Sequence, residues 1–224
     1  MKFSQVYDVG AAQGSFSKIA LDYWPDARYF LFEPLEEFVA TLDTQFGSMK
    51  NVKRVSLALW SEVLTMQFNV HKDLYGSSFY REIEGAFVDG DPREIATTTL
   101  DEFWEAGGHK MVKIDVQGAE LDVLKGASRF FDYSPDAEVI FLIEIGLYGT
   151  MLDSHNIFDQ VIEFFAARDY VLLDISGLAY RPLDGNLAQL DGAFCHRDST
   201  FRQSHAYASH QFRVEQFRGA PPTG

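Results

Sequence analysis

The chain has 224 residues, 46% of them hydrophobic and 23% charged, which suits one sizeable soluble domain with a large core. A net charge of -14 sets the molecule against phosphate backbones and anionic membranes. Nucleic acid is therefore set aside as the main partner, and neutral, cationic or sugar-like substrates fit more readily. The single cysteine, Cys195, rules out a disulfide within the chain and points to a reducing, cytoplasmic setting; it reads as a buried structural thiol. No signal peptide precedes the first strand, and no apolar run reaches the length of a membrane span.

In chain order, Val6 to Val9 reads as a short apolar strand with Asp8 near its tip. The tiny residues Gly10-Ala11-Ala12-Gln13-Gly14 form a turn that opens a helix over 15–23. Residues 27–34 read as a second buried strand stopped by Pro34, and 35–46 as a helix with Leu35, Phe38, Val39 and Leu42 at helical spacing. Strands are expected at 52–59 and 63–70, turn chemistry over 71–93, and a short extended piece at 93–98. Thr99, with Glu102 three residues on, predicts a capped helix over 99–104. Then follow a strand at 110–116, a helix at 119–131, a strand at 138–145, a helix at 156–168, and strands at 170–175 and 189–196. This alternation predicts a parallel, doubly wound α/β sheet, with the last two strands as an antiparallel hairpin at its edge. The domain is expected to span 1–198. Residues 199–224 form a C-terminal extension, partly helical or flexible, in which Arg202, Arg213 and Arg218 face one acid, Glu215.

Four acids lie at or near strand ends: Asp8, Glu33, Asp115 and Glu144. Ligands of open α/β sheets bind outside the carboxyl ends of the strands, and a buried carboxylate there needs a ligand, a cation or donated hydrogen bonds. The turn Asp8-x-Gly10-x-Ala12-x-Gly14 resembles the first motif of S-adenosylmethionine-dependent methyltransferases. Glu33, about twenty residues on, can accept both ribose hydroxyl protons, but turn plus Glu33 fits a nicotinamide dinucleotide nearly as well.

Lys113-Ile114-Asp115-Val116-Gln117-Gly118-Ala119-Glu120, followed by Val123-Leu124-Lys125-Gly126-Ala127, closely resembles the signature of FkbM-type methyltransferases. Thr98 to Phe103, Ile143-Glu144-Ile145 and Leu190 to Phe194 resemble that family too. The resemblance implies a single Rossmann-like class I methyltransferase domain. Its seven-stranded, mostly parallel sheet would have the order 3-2-1-4-5-7-6, strand 7 antiparallel, with helices on both faces. It also implies methyl transfer from S-adenosylmethionine to a hydroxyl of a sugar, glycan or secondary metabolite. By the same resemblance Asp8, Gly10, Ala12 and Gly14 line the methionine and ribose, and Glu33 with Pro34 beside it holds the ribose. Ser56, Leu57 and Ala58 lie near adenine, Asp115 and Gln117 lie beneath the methyl, and Glu144 is nearby.

The family often carries a histidine soon after the acid of strand 5. Here the first one beyond Glu144 is His155, so Glu144, Asp115 and His155 are all candidates for the base. Alternatively, Asp115 and Glu144 hold Mg2+ against a substrate diol. A non-catalytic cofactor-binding or assembly module and an NAD-dependent oxidoreductase are the competing readings. A small-molecule or glycan acceptor is the expected partner, and the oligomeric state, a homodimer included, is open.

Overall fold

A computed structural model describes residues 2–84, 90–202, 204 and 208–218. Its main sheet takes strands from both halves of the chain. From the first half come β1 (Gln5–Val9), β2 (Arg28–Phe32) and β3 (Val52–Val55). Next come β4 (Ala58–Leu59), β5 (Thr65–Val70), β6 (Arg81–Glu82) and β7 (Asp91–Thr98), then β8 (Lys110–Ile114) and β9 (Val139–Gly146). Last are β10 (Met151–Leu152), β11 (Tyr170–Tyr180) and β12 (Leu187–His196). The seven-stranded sheet has the order β11-β12-β9-β8-β1-β2-β3. Pairing is parallel from β3 through to β9, whereas β12 runs antiparallel to both β9 and β11. Strand numbers depart from the expected 3-2-1-4-5-7-6 because β4 to β7 intervene before β8, and β10 before β11. These extra strands form two small sheets, β4-β7-β5 and β10-β6.

Helices cover both faces. On one, α1 (Ser15–Tyr23) and α2 (Val39–Phe46) pack Ala20, Leu42 and Phe46 against Val6, Tyr29 and Leu31. On the other, α3 (Glu120–Lys125) and α4 (Phe158–Ala166) pack Val123, Leu124, Val161 and Phe165 against Tyr7, Val112, Phe141 and Ile143. Successive strand residues point to opposite faces, so apolar runs such as Val139 to Ile143 feed both layers.

Several expected elements break where tertiary contacts override local pattern. The 35–46 helix begins as a 3-10 turn, Glu36–Phe38, before becoming α2. The 119–131 helix ends at Gly126, where a Cβ would stand 2.3 Å from the Trp60 carbonyl oxygen; Ser128–Phe131 then forms a separate 3-10 turn. The expected capped helix at 99–104 is a 3-10 turn, Leu100–Phe103, with no side-chain cap at Thr99. Asp101 instead accepts the Ser128 hydroxyl at 2.6 Å and the Arg129 N–H at 2.9 Å. The third strand divides: β3 joins the main sheet and β4 pairs with β7. The hairpin is longer than expected, because β11 runs on to Tyr180.

Cys195 is buried without a disulfide. Beyond β12, Ser199 and Thr200 dock on the Glu138 carboxylate, and α5 (His210–Arg218) exposes residues 210–213. No helix among the described residues is long and apolar enough to cross a membrane.

Candidate active site

The turn after β1 is shaped from both sides. Gly10 at φ 75 passes so close to β8 that a Cβ would sit 2.0 Å from the Asp115 carbonyl oxygen, so only glycine fits. Ala12 is also left-handed, at φ 46. Its N–H donates to Glu33 Oε2 at 2.8 Å, while Glu33 Oε1 accepts the Leu35 N–H at 2.8 Å. Burial pushes Glu33 up to about 7, against the pull of those two N–H groups. Gly14 lies behind the turn against the Phe46 ring rather than on a cavity wall.

Asp8 is fully buried beneath the turn and does not line the cavities described below. Its Oδ2 accepts the Ser17 hydroxyl at 2.7 Å, and Lys113 Nζ stands 3.7 Å from Oδ1. Burial raises its pKa, with Lys113 and Ser17 opposing. The same Lys113 ammonium is 3.1 Å from Asp115. Burial works against its charge, yet Asp8 and Asp115 outweigh that and hold it above its ordinary value. Lys113 shares a sheet face with Asp115, two residues on, so this pairing was open to the period-2 rule.

Three cavities meet at the carboxyl ends of β1, β8 and β9. The first, about 780 Å³, is lined by Gly10, Ala12, Glu33, Pro34, Leu57, Ala58, Asp115 and Gln117 together with apolar side chains. The second, about 880 Å³, runs from Gln13 and Ser15 at the start of α1 to Lys113, Asp115, Glu144 and Asp191. The third is a cleft of about 420 Å³ lined by Gln117, Glu144, Tyr148, Thr150, Ser154, Asn156 and Gln189 among others. Asp115 stands between the first and second, with Gly10, Ala12 and Tyr75 also shared there; Gln117 stands between the first and third, and Glu144 between the second and third.

Gln117 hydrogen-bonds to both Asp115 and Glu144. Gln117, at φ 56 in the turn after β8, donates from Nε2 to Asp115 Oδ1 at 2.9 Å and to Glu144 Oε2 at 3.0 Å. Gln189 Nε2 donates to Glu144 Oε1 at 2.7 Å. Burial raises Glu144 to about 8, helped by the neighbouring charges of Asp115 and Glu120. Glu120, also raised by burial, to about 7, folds back to accept the Val116 and Gly118 N–H groups at 2.8 and 3.0 Å. Its part was legible: an acid in the first turn of a helix can satisfy orphan N–H groups just ahead of it. Gln189 carried no comparable signal.

Besides Asp8 and Gly14, two more expected site residues lie off the cavity walls. Ser56 turns outward and its hydroxyl accepts from Arg54 Nη1 at 2.8 Å. His155 is exposed, while its neighbours Ser154 and Asn156 line the cleft.

Asp115, Glu120 and Glu144 present oxygens within 4.8 Å of one another, a spacing that a metal could bridge. The donor set argues otherwise. The Gln117 amide is the group between Asp115 and Glu144, and backbone N–H groups hold Glu120. Hydrogen-bond donors stand where a divalent cation needs bare oxygens, so this arrangement does not fit Mg2+. The first cavity does fit an adenosine-bearing group. Most of its lining is apolar, and one buried carboxylate, Glu33, faces in beside a turn of small residues.

No curated protein matches the chain. Among solved structures it is similar to an FkbM methyltransferase from Methylobacillus flagellatus KT, with a TM-score of 0.51 and 17% identity over 85% of this chain and 43% of that one. The chain thus spans less than half the length of that relative. It is also similar to a precorrin-6y C5,15-methyltransferase from Geobacter metallireducens GS-15, at 12% identity over 88% of this chain and 81% of that one, TM-score 0.47. A third is the Burkholderia thailandensis 1,6-didemethyltoxoflavin-N1-methyltransferase, solved with 1,6-didemethyltoxoflavin and S-adenosylhomocysteine, at 15% identity over 88% and 72%, TM-score 0.46. The Methyltransferase FkbM domain matches residues 8–172, most of the chain, from Asp8 in β1 past the Asp115–Glu144 cluster to the start of β11. The chain belongs to the FkbM methyltransferase domain family.

Proposed function

We propose that the protein transfers a methyl group from S-adenosylmethionine to a hydroxyl of a neutral sugar, glycan or secondary metabolite. The observation that carries this reading is the convergence of three cavities on the hydrogen-bonded trio Asp115, Gln117 and Glu144. A two-substrate transfer needs separate chambers that touch at one point, and the trio is that point. The family favours this cofactor over the nicotinamide that the first turn left open.

When bound, S-adenosylmethionine supplies an electrophilic methyl on a sulfonium. Glu33 is the group to accept the ribose hydroxyls, since each of its oxygens takes one backbone N–H and keeps a second lone pair. Leu57, Ala58, Leu59 and Phe68 offer an apolar slot for the adenine. The cleft beside Glu144 is lined by the uncharged hydrogen-bonding groups of Gln117, Thr150, Ser154, Asn156 and Gln189, with no lysine, arginine or histidine among its walls. That lining favours a hydroxyl-rich, neutral acceptor. Glu144 takes the acceptor proton. Its value of about 8 lies near working pH, where a base is most effective, and the amides of Gln117 and Gln189 fix the plane of its carboxylate. In-line displacement then depends on holding the acceptor oxygen in register with the methyl.

Calorimetric titration with S-adenosylhomocysteine tests the first half of this reading, and no binding to folded protein ends it. A panel of glycosides and small metabolites, followed by mass spectrometry for a gain of one methyl, tests the second. Intact cofactor binding with no product across the panel would leave a non-catalytic binding module.

A further inference from the structure

The first cavity and the chamber beside it share four lining residues: Gly10, Ala12, Tyr75 and Asp115. Gly10 and Ala12 contribute backbone and one methyl group. The groups at this junction able to meet a ligand charge are the Tyr75 ring and the Asp115 carboxylate.

Tyr75 reaches the junction from the loop between β5 and β6, which the local chemistry fastens. Leu74 turns the chain at φ 68. The Gly76 N–H donates to Asp73 Oδ1 at 3.1 Å, and the His71 N–H donates to Ser77 Oγ at 3.0 Å. Asn69 and Ser78 exchange backbone hydrogen bonds at 2.8 and 3.1 Å. The Ser78 hydroxyl donates to the Gln117 carbonyl at 2.7 Å, which ties the loop to the turn after β8. At the tip the Tyr75 ring leans on Phe38, centroids 5.5 Å apart, yet stays 52% exposed. Packing alone leaves half of this large ring unused, while the fastened loop keeps it over the cavity mouth.

This inference rests on the cofactor reading above. With adenosine against Glu33 and Leu57, the amino-acid end extends into the chamber lined by Gln13 and Ser15 at the start of α1. The sulfur that joins the two ends then falls at the shared boundary. We propose that Tyr75 is a cofactor-binding residue that takes the sulfonium charge on its ring, across from the Asp115 carboxylate. A cation close to an aromatic face is attracted by the ring quadrupole. S-adenosylhomocysteine, neutral at sulfur, lacks that attraction. Tyr75 therefore makes the site prefer substrate cofactor over spent cofactor, and turnover is eased by the loss of charge itself.

The test is calorimetric titration of the full chain with S-adenosylmethionine and, separately, S-adenosylhomocysteine, for wild type, Tyr75→Leu and Tyr75→Phe. The wild type is expected to prefer the methylated cofactor. Tyr75→Leu narrows the ratio of the two dissociation constants by about threefold or more, chiefly by weakening S-adenosylmethionine. Tyr75→Phe keeps the ratio, because the ring remains. Equal weakening of both ligands in Tyr75→Leu, an unchanged ratio, or loss of preference in Tyr75→Phe overturns the proposal. Failure of wild type to bind either ligand overturns the cofactor reading as well, so the two failures are told apart.

Discussion

Ala12 and Glu33 are joined by a single hydrogen bond of 2.8 Å, from the N–H of a left-handed turn residue to a buried carboxylate oxygen. The contact locks the turn after β1 to the end of β2, so the same carboxylate is strut and cavity wall. Glu33→Ala is expected to weaken S-adenosylhomocysteine binding at least about tenfold. It should also cost about 1–3 kcal/mol of stability, because two N–H groups lose their acceptor. Titration calorimetry and urea unfolding measure both. Cofactor affinity unchanged in this variant sinks the ribose assignment.

Gly10→Ala puts a methyl 2.0 Å from the Asp115 carbonyl oxygen, at a φ that side chains resist. The backbone of β8 must shift, and the trio with it. Loss of measurable cofactor binding and a lower melting temperature are expected. A crystal structure of the variant with an undisturbed turn contradicts this.

Stability of the free protein should fall as pH rises through neutrality. Burial lifts Glu33 and Glu120 from 4.5 to about 7 and Glu144 to about 8. Between those values the folded chain keeps protons that the unfolded chain has released. The stabilisation is therefore complete below about 4.5 and is lost as pH passes each folded value. For Glu120, fully buried, the swing is about 3 kcal/mol. Urea midpoints from pH 5 to 8.5 read the slope, and Glu120→Gln should flatten it. A midpoint that climbs over that range refutes the burial argument.

Glu144→Gln removes the proposed base while leaving the amide network room to re-form. The rate with an identified acceptor is expected to drop by about 10²–10⁴, with S-adenosylhomocysteine affinity held within about twofold. The wild-type rate should rise with pH towards about 8, and the variant should lose that rise. An equal pH profile in both proteins assigns the base elsewhere.

Chelation should leave transfer intact, because amide and backbone donors already face the carboxylates of Asp115, Glu120 and Glu144. Activity in excess EDTA is expected within about twofold of the untreated rate. A collapse that Mg2+ restores would mean that Gln117 swings aside to admit the ion.

Much of the frame was legible because it follows from periodicity. Val6 to Val9, Val112 to Ile114 and Val139 to Ile143 declare buried strands, and the acids at or near their ends mark the site edge. What stayed hidden depends on neighbours remote in sequence. Gly126 closes α3 at a place where the Trp60 carbonyl leaves no room for a Cβ, and Ser56 turns outward because the chain leaves the main sheet for β7. His155 lies one residue from two cleft-lining neighbours, and spacing alone does not say which of the three faces in. Tyr75 joins the cavities only through the fastened loop.

The pairing of Arg81–Glu82 with Met151–Leu152 ties two loops into one clip. Met151 lines the cleft beside Glu144, so one rim of the proposed acceptor opening is supported from a segment some seventy residues away. For anyone redirecting this scaffold to a new acceptor, the two loops are a single transplantable cassette. Grafting 147–156 without its partner near 81–82 would deliver the right lining residues on a rim with nothing behind it.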